Sequence, residues 1–375
     1  MPHARQAQRT AIRATAVRPA NGRTAALRAL GAGAALLLAA GSLSACSGSS
    51  ADALPAPDQS NIKVGVVESI GDVPFLIGTA SGNQNGNSAF SKAGLTVTVQ
   101  TFNDESDEIT ALNNGSIDIA YGEYGQFLAE NDPLAKTGDL RVLADAYDAG
   151  PGSIELLVRQ GAGTPNFSAV FHHAYGAPVI AVPTDTGPEY LSLADYFNSQ
   201  NMPISSPIGT GGTSDLTGSP DIQVQADPMK IIQGVADGQY AAAVLQEPYA
   251  TMAEEQDGLV PALNLATGDS AGVPLDGYFT SSSFVSKFPT TAEVFSQVQD
   301  KLQAIGASRV TIEAAILQGM TNPSQAVQEY VATMQLGTYP TATVPEKISI
   351  DSDLMYNAGT IGSQLSISSI VYAAS

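Results

Sequence analysis

Apolar positions in this chain fall into short β-branched runs separated by helix-compatible segments, the first being "IKVGVV" at residues 62–67. "GLTVTVQTF", residues 94–102, alternates apolar and polar positions as a half-buried strand does. "DESDEITALNNG" then offers Ser and Asp starts, acids in the first turn and a Gly stop, which predicts a helix. "SIDIAYG" predicts a third strand, and "LRVLADAY" (140–147) and "SIELLVR" (153–159) a fourth and a fifth. Strands alternating with helices predict a mainly parallel sheet covered on both faces.

The same grammar restarts further on. "APVIAVPTDTGPEYLSLADYFNSQNM" predicts a strand, a turn and a helix, with caps from Thr184 to Thr186 and Pro188 in the first helical turn. "DIQVQA" predicts a strand, "DPMKIIQGVADG" a helix with an Asp cap and a Gly stop, and "QYAAAVLQ" a strand. The restart predicts two similar α/β lobes. "GYFTSSSFVSKFPTTAEVFSQVQDKLQAI" predicts a strand running into a periodic helix, and "PSQAVQEYVATM" a further helix, both with core-facing spacing. The last stretch, from "KISIDSDLMYNAG" onward, is expected to pack back on the first lobe. The loop of residues 205–220, rich in Gly, Ser and Thr, is expected to be exposed.

One stretch is written twice in outline. "ALNNGSIDIAYGEYGQFLAEN" (111–131) and "GVADGQYAAAVLQEPYATMAEE" (234–255) each place a helix end, a glycine, a compact apolar strand and then a Glu and a Tyr. In open α/β sheets ligands gather outside the carboxyl ends of the strands, so each copy delivers polar residues to such an edge.

The N-terminal 45 residues hold six arginines and no acid, followed by "ALGAGAALLLAAG". Basic, then apolar, then small is the order of a secretory signal, and the apolar core is too short to span a bilayer comfortably. Residues 1–45 are therefore set apart as a signal peptide, and residues 46–61, small, polar and Pro-containing, as a flexible linker. Cys46, the only cysteine, rules out an internal disulfide. The formal net charge of −20 becomes about −26 without the six leader arginines, which disfavours nucleic acid as a partner.

"ALNNGSIDIAYG", "YGAPVIAVPTDTG" and "IIQGVADGQYAAAVLQEPY", in that order behind "LSAC", resemble the solute-binding lipoproteins of ABC importers, in the nitrate, sulfonate, taurine and thiamine-pyrimidine (NMT1/THI5-like) branch. "LSAC" resembles a lipobox, which implies lipidation of Cys46 and anchoring at the outer face of the bacterial cytoplasmic membrane. The resemblance implies an α/β fold of the two-lobed periplasmic-binding-protein type II class with two crossover strands. It places one lobe in residues 62–152 plus 277–375 and the other in 153–276, with crossings near Gly150 to Ser153 and Leu275 to Tyr278. The implied partners are a small organic solute (pyrimidine-, amine- or sulfonate-like) and the importer's permease and ATPase, with the binding protein itself a monomer. An extracellular sensory module and a pyrimidine-synthesis-like enzyme of the same fold remain alternatives.

Position along the strands nominates the binding residues: Glu68, Ser69, Asp72 and Phe75 after the first strand, and Gly122, Glu123 and Tyr124 after the third. Asp145 and Tyr147 follow on the fourth. Thr184, Asp185, Thr186 and Gly187 form a helix mouth in the second lobe, facing Gln246, Glu247 and Tyr249. The set holds several carboxylates and no Lys or Arg. Although the helix mouth could offer N–H groups to an oxyanion, Asp185 would repel one. The chemistry therefore favours a neutral or cationic solute, with tyrosines for a ring and a carboxylate for an amino group. Enzyme signatures are poor: adjacent His172 and His173 make no ready metal pair, no G-x-S-x-G elbow occurs, and "GTGGTSD" lacks the Lys of a phosphate loop. No cofactor and no metal is expected.

Overall fold

The computed structural model describes residues 54–80, 88–130, 139–160, 179–202, 204, 220–320 and 325–372. The leader, Cys46, His172, His173 and nearly all of the 205–220 loop lie outside the described residues.

Among the described residues the β-branched runs form ten strands: β1 (Asn61–Val66), β2 (Thr96–Thr101), β3 (Ile119–Glu123), β4 (Leu140–Asp148), β5 (Ile154–Arg159), β6 (Val179–Val182), β7 (Asp221–Val224), β8 (Ala242–Gln246), β9 (Leu259–Asn264) and β10 (Pro274–Ser281). They assemble as two five-stranded sheets of order β2-β1-β3-β10-β4 and β7-β6-β8-β5-β9. In the first sheet β1 pairs parallel with β2 and β3, and β10 runs antiparallel between β3 and β4. In the second, β6 pairs parallel with β7 and β8, and β5 runs antiparallel between β8 and β9. Each sheet is thus mixed, where the alternation of strands and helices predicts a mainly parallel one. The reversed strand in each is the one that has just crossed from the other sheet: β5 directly follows β4, and β10 directly follows β9.

Strand β9 has no counterpart in the sequence reading, because Pro261 interrupts its apolar run. It lies at the edge of its sheet, the place where a missing ladder donor is tolerated.

Local signals set the helix starts. Asp104 accepts a hydrogen bond from Asp107 N at 2.9 Å and caps the helix Glu105–Asn113. Asp227 does the same through Met229 N at 3.0 Å for the helix Pro228–Ala236. The helix Pro289–Gln303 packs against β4 and the helix Val73–Thr79, delivering Phe295 to an aromatic cluster. In that cluster Phe75 meets Phe90 and Tyr278 with ring centroids 5.5 Å apart, and Phe90 stacks on Phe295 at 5.4 Å.

Phe75 is therefore a core residue of the first lobe and not a cleft residue. Its helix begins just after Asp72, and one turn on the side chain points down onto the sheet.

The first crossing, Ala149 to Ser153, turns tightly at Gly152, whose φ is +82°. Ser153 Oγ donates to Gly150 O at 2.8 Å and accepts from Gly150 N at 2.9 Å. Residues 335–339 lie over this crossing, and Asp148 and Thr338 exchange two backbone hydrogen bonds of 2.9 Å. The C-terminal helix Pro345–Ala358 packs on the helix Pro188–Ser199 of the second lobe as well as on β10 and the helix Tyr124–Ala129 of the first. It packs back on the first lobe, the expectation from sequence, and on the second lobe as well, so that it bridges the two.

Truncating Phe75 should remove a fully buried ring from that cluster. Phe75→Ala is expected to lower stability by about 3–5 kcal/mol in urea unfolding, and a loss below about 1 kcal/mol would contradict its core placement.

Candidate functional site

The carboxyl ends of β1, β3, β6 and β8 point toward one another across the gap between the two sheets. A cavity of about 520 Å³ lies there, walled by Glu68, Ser69, Glu123 and Asp276 from the first lobe and by Pro183, Glu189, Gln246 and Tyr249 from the second. The remaining wall is largely apolar, including Ile70, Met229, Leu245 and Met252.

Glu123 ends β3 and Gln246 ends β8, in the two copies of the repeated stretch. Gln246 Nε2 donates to Glu189 Oε1 at 3.1 Å and to Glu123 Oε1 at 3.4 Å, so one amide from the second lobe joins carboxyls of both lobes. Glu123 Oε2 and Glu189 Oε2 are buried without a partner. A Cβ built on Gly187 would stand 3.0 Å from Glu123 Oε2 and 3.1 Å from Glu189 Oε2. Both carboxyls thus gather at the N-terminus of the helix Pro188–Ser199, where the helix dipole favours negative charge.

Further acids stand behind them. Glu105 Oε1 accepts from Glu123 N at 2.8 Å, and Asp276, opposite Glu123 in the β3–β10 ladder, accepts from the Tyr121 hydroxyl at 2.8 Å. Burial, reinforced by Asp276 and Glu189, raises Glu105 to about 8. Burial raises Glu189 to about 7 and Asp276 to about 6. Glu123 is held well above the carboxylate range by burial and then by Glu105, Glu189 and Asp276. Among the described residues lining the cavity there is no Lys, Arg or His.

Of the other residues nominated by position, Glu68, Ser69, Tyr147, Glu247 and Tyr249 line the cavity. Ser69 Oγ and the Tyr121 hydroxyl are 2.7 Å apart. The Tyr147 hydroxyl accepts from Gly337 N at 2.5 Å, and its ring lies against Tyr339. Glu247 reaches the wall, but its carboxylate is already engaged by Thr251 N (3.1 Å), Thr251 Oγ1 (2.8 Å) and Gln335 N (2.6 Å). It holds the helix Tyr249–Asp257 and the C-terminal segment in place.

Several nominated residues stand away from the cavity. Asp72 is fully buried beneath the first lobe's surface and accepts from Ser69 N at 3.4 Å. Gly122 faces Phe127 and Glu105 within the sheet. Tyr124 is buried against Phe279, and Asp145 is buried with Asp148 and Asp351 for neighbours. Thr184 Oγ1 accepts from Gly187 N at 2.7 Å and shapes the turn, while Asp185 is exposed. Thr186 contributes its carbonyl, which lies against Gly125 of the first lobe so closely that a Cβ there would be 1.8 Å away.

Sequence reasoning missed Glu189, Asp276 and Glu105. Glu189 and Glu105 read as ordinary first-turn acids of helices. Asp276, by contrast, interrupts the apolar strand "PLDGYFT", a polar residue in a buried run that could have marked it.

The sequence model of the NMT1-like family matches residues 55–305. No curated protein matches the sequence. Among solved structures, the chain is similar to the ligand-binding component of an ABC-type import system from Staphylococcus aureus with zinc bound, at 14% identity and TM-score 0.63, covering 84% of this chain and 99% of that one. It is similar to the periplasmic aliphatic sulphonate binding protein SsuA from Escherichia coli at 13% identity and TM-score 0.62, covering 84% and 93%. It is also similar to the periplasmic nitrate-binding protein NrtA from Synechocystis PCC 6803 at 13% identity and TM-score 0.63, covering 84% and 87%. At these identities the likeness establishes the two-lobed periplasmic-binding-protein fold.

Two outcomes follow from the geometry between the lobes. Gly125→Ala should force the Thr186 backbone away despite the better helix propensity of Ala, about 1 kcal/mol. Small-angle scattering is expected to show a larger radius of gyration than the unsubstituted protein, and an unchanged radius would mean the contact does not hold the lobes together. The raised acids bind protons more tightly folded than unfolded. Their contribution is fully present below the unfolded value of about 4 and is lost as pH rises through about 6 to 8. The melting temperature should therefore fall between about pH 5.5 and about pH 8.5, and Glu189→Gln should flatten that slope.

Proposed function

The chain belongs to the NMT1-like family, and on that premise we propose that it is the extracytoplasmic solute-binding component of an ABC importer. It captures a small organic solute between its lobes and presents it to a permease whose transport is driven by an ATPase. The observation that carries this reading is the cavity of about 520 Å³, to which both lobes contribute strand ends and convergent polar groups. That volume lies within the range of about 300–1,000 Å³ usual for small-molecule sites.

Topology supports the same reading. Among the described residues, two strand-to-strand crossings lead from one sheet to the other, at residues 149–153 and 265–273, and all strand pairing stays within one sheet or the other. Such a connection lets each lobe move as a rigid body while the crossings absorb the backbone change. The division proposed for that motion is residues 62–152 plus 274–375 against 153–273; the boundary expected from sequence, 153–276, moves by three residues because β10 pairs with β4 from its start. The residues proposed to face the solute are Glu68, Ser69, Glu123, Tyr147, Gln246 and Tyr249, joined by Glu189 and Asp276.

The proposal includes anchoring. Signal cleavage before Cys46 and lipidation of its sulfur would hold the protein, as a monomer, at the outer face of the cytoplasmic membrane; the chain is already docked on the first lobe by Asp58 and Gln59, which bond to Thr290 and Thr291. The support is the order of the leader, basic then apolar then "LSAC". Among the described residues, no helix is long and apolar enough to cross a membrane.

Native mass spectrometry of the protein purified without refolding is expected to reveal one retained small molecule. The same compound, added back to stripped protein at 100 times its Kd, should stabilise the fold by about 2.7 kcal/mol. A protein that retains nothing, and that no compound from a broad panel of importer solutes stabilises, would defeat the reading.

A further inference from the structure

We propose that the solute taken by this cavity is an organic cation, an ammonium or guanidinium group on an apolar body, whose charged end sits against the free oxygens of Glu123 and Glu189. The inference rests on the solute-receptor reading and narrows it to one chemical class.

Hydrogen-bond accounting isolates those two oxygens. Five carboxyls reach the cavity wall: Glu68, Glu123, Glu189, Glu247 and Asp276. Glu247 has both oxygens engaged by Thr251 and Gln335, and Asp276 accepts from Tyr121. Gln246 offers a single amide nitrogen, already divided between Glu123 and Glu189. Each of these two acids keeps one buried oxygen with no donor, and Glu189 is only 5% exposed. A buried acceptor without a donor carries a desolvation cost that a ligand N–H can remove.

Charge selects among ligands. An anion placed here would meet five carboxyls and, among the described lining residues, no cationic side chain. A metal ion needs several close ligands, and among the described residues no three His, Cys, Asp or Glu are placed to hold one. An ammonium or guanidinium group instead donates directionally to two separated carboxyls. The wall away from the acids, with Ile70, Pro183, Met229, Leu245, Met252 and Tyr249, suits an apolar body and an aromatic or methyl contact with the cation.

Protons give the class a signature of its own. The groups facing Glu123 and Glu189 from the surrounding elements are Glu105, Asp276, Gln246, the Gln126 side chain beside Glu123 and the N-terminus of the helix Pro188–Ser199, with Glu68 across the cavity. Burial, reinforced by neighbouring carboxyls, holds Glu105 and Glu189 partly protonated near neutrality when no cation is present. A bound cation favours the ionised forms, so binding releases protons and tightens as pH rises through about 6 to 8.

Titration calorimetry on the mature chain, stripped of solute, tests this with three compounds that differ only at the head: 2-phenylethylamine, 2-phenylethanol and 2-phenylethanesulfonate. A series of n-alkylamines and n-alkylguanidines covers other body sizes. The amines or guanidines should bind at least about 10-fold tighter than the alcohol and the sulfonate, with net proton release read from the dependence on buffer ionisation. Glu189→Gln and Glu123→Gln should each weaken the cation about 10- to 100-fold and reduce the proton release; two variants are used so that a folding defect in one does not decide the result. Sulfonate or alcohol binding as tightly as the amine would overturn the cationic class while leaving the receptor reading intact, as would a retained solute of neutral or negative charge. Failure of every cation in the series also overturns it, whereas a protein that binds and retains no solute of any class removes the receptor reading itself.

Discussion

Glu123 from one lobe, half-buried, and Glu189 from the other, buried, lie side by side with one amide between them. Everything about the gap between the lobes follows from how that concentration of acid is tolerated. No Lys, Arg or His lines the cavity among the described residues, so the compensation is of three other kinds. The helix Pro188–Ser199 directs its positive end at both carboxyls, Gln246 donates to each, and raised proton affinities let some of the acids stay neutral. Each of these is weaker than a salt bridge, and each leaves an oxygen unclaimed.

The same constraint explains the close approach of backbone to backbone beside the acids. Glu123 can reach the helix mouth only if the first turn of its own helix comes against the turn before Pro188. Gly125 permits this, because the Thr186 carbonyl occupies the space a side chain would need. On the opposite side Gly187 leaves room for both carboxyls. Two residues without side chains thus bring together two charged ones, and the contact between lobes is polar at its centre.

Much of the frame was legible from local pattern. "IKVGVV" and "LTVTVQT" read as strands because β-branched residues recur in short runs, and Asp104 and Asp227 marked helix starts through their capping chemistry. Order within each sheet was not legible from pattern alone, because β10 inserts between β3 and β4 through pairing with residues some 150 positions away. Strand β9 escaped because Pro261 breaks its run. Strand ends directed attention to Glu123 and Gln246, which meet across the gap, and the same logic nominated Phe75, Tyr124 and Asp145, which are buried away from it. Those three differ only in which way a helix or strand turns them, and that is fixed by tertiary packing. Glu189 and Asp276 went unmarked because an acid in a first turn or near a strand end has a local explanation that needs no partner.

The C-terminal segment adds a constraint that neither lobe's pattern contains. Within five residues it bonds to both lobes: Gln335 N to Glu247 in the second, then Gly337 N to Tyr147, Thr338 to Asp148 and the Tyr339 hydroxyl to Ile70 O at 2.7 Å in the first. Three of those partners, Glu247, Tyr147 and Ile70, are also cavity wall. A rotation of the lobes about the crossing at residues 149–153 must therefore either break the Gln335 bond to Glu247 or carry the segment along with one lobe. Glu247, nominated as a ligand contact, thus joins the cavity wall to the C-terminal segment, which continues into the helix Pro345–Ala358 packed on both lobes.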